Sequence, residues 1–116
     1  MDNFTIYFNK KKQWITVTVW DVHPATFKSW GGGRWAYFNP LWNETEGCTP
    51  RKGLFGELHL VKSGIREDTM AHELLHVVLG WCFANWIIPT PKNEERLCEF
   101  IDELTRKFWR GFRKKG

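Results

Sequence analysis

Apolar and polar residues alternate from Trp14 to Trp20. Ile15, Val17 and Val19 fall on one side, and Thr16, Thr18 and Trp20 on the other. A period of two with β-branched residues predicts a half-buried strand. Residues 4–8 and 34–38 share the β-branched and aromatic bias. Lys10, Lys11, Lys12 and Gln13 form the turn expected between the first two strands. Residues 54–61 read as a fourth strand, with Leu54, Gly56, Leu58 and Leu60 on one face and Phe55, Glu57, His59 and Val61 on the other. Residues 23–30 suit a short helical turn, which Gly31, Gly32 and Gly33 interrupt. Residues 39–53, with Pro40, Gly47, Pro50 and Gly53, read as a long loop.

The period then changes. Over residues 66–83, Met70, Leu74, Val77, Val78 and Trp81 recur at helical spacing, and Leu75, Leu79 and Cys82 fill the adjacent face. A helix apolar on nearly all sides is expected in the middle of a domain. Thr90 and Pro91 suit the start of a second helix, as N-cap and first helical residue. That helix is expected to run to about Phe108 and to bury Leu97, Phe100, Ile101, Leu104 and Phe108. The pattern predicts an α+β fold: a small antiparallel sheet of three to four strands packed on two main helices. One domain is expected across residues 1–116, with residues 108–116 a basic aromatic tail outside the core.

Composition narrows the class. Apolar residues make up 42% and charged residues 26%, which excludes a disordered or fibrous chain. Eight Trp and nine Phe are expected to fill a small core. Cys48, Cys82 and Cys98 are an odd set, and no apolar segment precedes Lys10. A disulfide framework is therefore not expected, and a reduced, cytoplasmic protein is. Residues 77–84 are the longest apolar stretch, far short of the roughly 20 residues of a membrane span. Net charge is +4, and no acid follows Glu103, whereas Arg106, Lys107, Arg110, Arg113, Lys114 and Lys115 do. Such a tail suits a solvated helix end, an acidic partner or nucleic acid.

One segment carries chemistry. Residues 72–76 read His72, Glu73, Leu74, Leu75, His76, an H-E-x-x-H motif on the first predicted helix. Side chains at i and i+4 lie one turn apart on the same face, so two imidazoles can share one metal ion. Glu73 stands beside them, within reach of a water held there. Two His can also be ordinary core or surface residues. Here they interrupt an apolar helix, where burial without partners costs several kcal/mol. A metal removes that cost, and zinc is the expected ion.

The run Thr69, Met70, Ala71, His72, Glu73, Leu74, Leu75, His76, Val77, Val78 resembles the zincin metallopeptidases. It has the Thr three positions before the first His and uncharged residues within and after the motif. The resemblance implies that His72 and His76 bind zinc and that Glu73 is the general base. The metzincin pattern would need Gly at 79 and His or Asp at 82, where this chain has Leu79 and Cys82. Cys82 lies on the wrong side of an unbroken helix. Gluzincins take the third ligand as a Glu on a following helix. The segment Glu95, Arg96, Leu97, Cys98, Glu99, Phe100 is similar to one in small bacterial and phage gluzincin-like proteins, some of them transcription-regulating. That register implies Glu95 as third ligand and Glu99 as an acceptor for a zinc-bound His. Glu94, aligned with Leu97 and Ile101, is the rival ligand. The resemblance covers about residues 54–104.

It implies a minimal zincin-like domain acting as a zinc endopeptidase on an extended peptide. Glu73 would deprotonate the zinc-activated water that attacks the carbonyl. Residues 54–61 would correspond to the strand that pairs with substrate, with Gly56 allowing close approach. His59, Tyr37 and His23 are the candidate oxyanion donors. The alternative is a zinc-containing regulatory or binding protein whose tail contacts nucleic acid or a protein partner.

Overall fold

The structure is a computed structural model, and it describes residues 2–21, 36–41 and 53–115. The helical turn expected over residues 23–30, the three glycines after it, most of the expected loop, Cys48 and His23 lie outside those residues.

Four strands, β1 (Asp2–Phe8), β2 (Gln13–Trp20), β3 (Ala36–Pro40) and β4 (Gly53–Val61), form one sheet in the order β1-β2-β4-β3. The β1–β2 and β3–β4 ladders are antiparallel. The β2–β4 ladder is parallel, so the sheet is mixed though mostly antiparallel. The segment between β2 and β4 is long enough for the crossover that parallel pairing needs, which alternation alone does not reveal. A turn over residues 62–64 leads to α1 (Glu67–Ala84), and α2 (Glu94–Lys115) completes the described fold.

Both helices pack on one face of the sheet. Ile15, Val17, Val19, Leu58 and Leu60 point into the core, as period two requires. They meet Met70, Leu74, Val77 and Trp81 of α1 and Phe100, Leu104 and Phe108 of α2. Trp81 stacks on Phe100 with ring centroids 4.0 Å apart, which fixes one helix against the other.

β4 departs from simple alternation. Trp14 pairs with Leu54 and Ile15 with Gly56, so Phe55 is the extra residue of a β-bulge. The bulge turns Phe55 into the core, where it is fully buried near Phe8. Gly56 is also buried, and a Cβ there would meet the Phe38 ring at 2.2 Å. That glycine makes room for Phe38 rather than for a bound peptide. β4 itself is interior to the sheet, with β2 on one side and β3 on the other. It therefore lacks the open edge expected of residues 54–61.

α2 does not end near Phe108. It starts at Glu94, after a turn in which the Asn93 amide donates to the Thr90 carbonyl, and continues to Lys115. Phe108 is fully buried, Phe112 stacks on it, and Trp109 packs against the core. Gly111 weakens a helix by about 1 kcal/mol relative to Ala. Its place has a steric reason, because a Cβ there would stand 2.4 Å from the Phe4 ring. The aromatic residues of the expected tail, Phe108, Trp109 and Phe112, thus pack in or against the core, whereas Arg110, Arg113 and Lys114 are exposed. Among the described residues, no helix is long and apolar enough to cross a membrane.

Candidate metal centre

α1 carries its apolar stripe, Met70, Leu74, Val77, Val78 and Trp81, against the sheet and α2. At 100° per residue, His72 and His76 fall about half a turn from that stripe. They are exposed, the His72 side chain by 70%. Burial was expected of both, but the desolvation argument holds only for Glu73, whose side chain is 10% exposed. Leu75, Leu79 and Phe83 are exposed as well. A sequence apolar on nearly all sides does not say which side the domain covers.

The two rings converge. Nε2 of His72 lies 3.3 Å from Nε2 of His76, with the ring centroids 5.0 Å apart. Glu73 Oε1 is 3.8 Å from His72 Nε2. Each of the three residues offers one ligand atom, and these atoms lie within 4.8 Å of one another. They are the one such group of three among the described residues. Two nitrogens held at about 2.0–2.1 Å by one tetrahedral ion stand roughly 3.3 Å apart, so the separation of the two Nε2 atoms matches an ion of that kind.

The first turn of α2 supplies the other acids. Glu94 lines a groove of about 520 Å³ between the helices, together with Leu75, Leu79, Cys82, Leu97 and Cys98. Glu95 is exposed and lies on the opposite side of α2 from Leu97, Ile101 and Leu104. Glu99 is exposed one turn later. None of the three belongs to the His72, Glu73, His76 group. Cys82 is buried in the groove wall, and that burial raises its thiol pKa, with Arg96 opposing.

Two suggested oxyanion donors are placed elsewhere. Tyr37 and His59 are cross-strand partners. Both alternate with the core residues Phe38 and Leu58, so they sit on the sheet face away from α1. Trp20 Nε1 donates to His59 Nδ1 at 3.2 Å. Burial lowers the His59 pKa, partly opposed by Glu57, which favours the neutral ring that accepts this bond at Nδ1. Asn39 Nδ2 donates to Glu57 Oε1 at 3.0 Å on the same face. The pairing register that fixes these positions is not a property of the local sequence.

The chain matches no protein-family model, no curated protein and no solved structure.

Proposed function

We propose that the protein is a zinc-dependent endopeptidase in which His72 and His76 hold the ion and Glu73 is the general base. The observation that carries this reading is the convergence of the two Nε2 atoms at 3.3 Å on an open helix face beside the Glu73 carboxylate. When bound, zinc would polarise a carbonyl and lower the pKa of water toward about 7. Glu73 takes the proton from the attacking water and passes it to the leaving amine. Its burial restricts its rotamers and so supports that aim. The first turn of α2 provides the third ligand, with Glu95 the choice the gluzincin register implies and Glu94 the acid that faces α1 across the groove. Among the described strands β3 is the outer one on its side of the sheet, and an extended peptide would pair there rather than with β4.

Metal analysis of dialysed protein should give about one zinc per chain, and none for His76→Ala. Separate Glu94→Ala and Glu95→Ala variants identify the third ligand by which one weakens zinc binding. On a fluorogenic peptide library, Glu73→Gln should keep its zinc and lose at least about a hundredfold in turnover. Wild type that takes up no zinc refutes the metal centre. Zinc bound without peptide turnover refutes the peptidase and leaves a regulatory metal site.

A further inference from the structure

We infer that the groove between β1 and the second half of α2 binds single-stranded nucleic acid. The groove, about 470 Å³, is lined by Lys10 and Lys11 from the β1–β2 turn and by Lys107, Arg110 and Lys114 from α2. Among the described lining residues there is one acid, Glu103, and it is paired with Lys107 at 2.6 Å. Lys10, Lys11, Arg110 and Lys114 have no ion pair among the described residues. Like charges gathered this way repel one another, and a polyanion relieves the repulsion.

The backbone shows that the gathering is imposed by the fold. Asn9, Lys10 and Lys11 take φ of +50°, +55° and +66°, a left-handed run that non-glycine residues rarely adopt. This turn brings Lys10 and Lys11 into the lining of a groove whose other wall is a helix about a hundred residues away in sequence.

Tyr7 stands at the rim of the site. Its carbonyl lines the groove, and its ring, 43% exposed, lies beside Trp14 on the sheet face away from α2, around the edge of β1, with the Lys11 ammonium 5.8 Å from the ring centroid. A positive groove that tracks a backbone, with an open aromatic ring at its rim beside Lys11 for a base to stack on, is how single strands are held without sequence preference. An acidic peptide added to the edge of β1 is the rival occupant. The structure obstructs it, because Lys107 Nζ donates to the Tyr7 carbonyl at 2.5 Å and Gly111 of α2 lies against Phe4. The site uses no residue of the His72, Glu73, His76 group and stands or falls apart from the metal centre.

Fluorescence anisotropy with labelled oligo(dT) and oligo(U) of about twelve nucleotides tests the site. Lys10→Gln with Lys11→Gln, and separately Arg110→Gln with Lys114→Gln, each remove two exposed cations. Each pair should weaken binding about twentyfold near 0.1 M salt and flatten the slope of log affinity against log salt by about 1.4. Tyr7→Ala should cost about tenfold while leaving that slope unchanged. The control pair Lys62→Gln with Lys92→Gln removes the same charge outside the groove and should leave binding within about twofold. Three results would overturn the site: no salt-dependent binding of either oligonucleotide, an equal loss in the control pair, or tighter binding of poly-glutamate than of the oligonucleotides. Circular dichroism of both groove pairs confirms that any loss is not unfolding.

Discussion

His72, Glu73 and His76 come from five consecutive residues of one helix, whereas Lys10 and Lys11 meet Lys107, Arg110 and Lys114 because α2 runs back along β1. The first group is complete as soon as α1 is helical, since 3.6 residues per turn bring i and i+4 together. The second exists only in the packed domain. The difference predicts different responses to damage. Injury to the core should dissolve the groove, and loss of the histidines should leave the fold unaffected.

Removing the chain after Lys107 makes the largest break. It deletes the fully buried Phe108 with Trp109 and Phe112, and a buried Phe truncated to Ala alone costs about 3–5 kcal/mol. We expect a loss of at least about 4 kcal/mol by urea denaturation, with nucleic-acid binding gone. A loss under about 2 kcal/mol would mean that the end of α2 is dispensable after all.

Zinc sharpens the other side. Free zinc at a hundred times its dissociation constant should stabilise wild type by about 2.7 kcal/mol, and a chelator should reverse this. His72→Ala and His76→Ala sit at exposed positions and should shift the metal-free protein by no more than about 0.5 kcal/mol. Both should lose the zinc increment. Metal-free variants that unfold would show that the histidines support the core.

Gly111→Ala separates local preference from packing. Helix propensity favours Ala by about 1 kcal/mol, and overpacking against Phe4 costs about 1–3 kcal/mol. A net destabilisation of about 1 kcal/mol in thermal melts is expected. Stabilisation would mean that Phe4 gives way.

The smallest effect belongs to His59, on the sheet face away from both helices. Its folded pKa lies below its ordinary value of 6.5, with burial the main cause. As pH falls, the unfolded chain takes up this proton first. The His59 contribution should be constant above about 6.5, decline below it and be lost once the folded ring also titrates. His59→Gln should remove that part of the pH dependence of melting and leave zinc affinity as in wild type.

The sequence placed the four strands and both helices close to where they lie. β2 and β4 alternate in their own residues, and α1 and α2 carry helical spacing. It missed the bulge at Phe55, because a single extra residue is defined only by the partner strand. It missed the last two turns of α2, because Gly111 reads as a stop until Phe4 is seen beside it. The buried setting expected for His72 and His76 failed for a similar reason. α1 is apolar on too many sides to declare its covered face, whereas α2 divides sharply into apolar and charged sides.

By itself, then, the sequence determined what depends on near neighbours along the chain: strand and helix periods, and the i, i+4 pair of imidazoles with Glu73 between them. Those geometries follow from backbone periodicity, which every short segment carries. The tertiary structure decided the parallel β2–β4 ladder, the interior place of β4, the open face of α1 and the basic groove. Each depends on residues tens of positions apart being brought together, and that is governed by how the whole chain buries its apolar surface in one core.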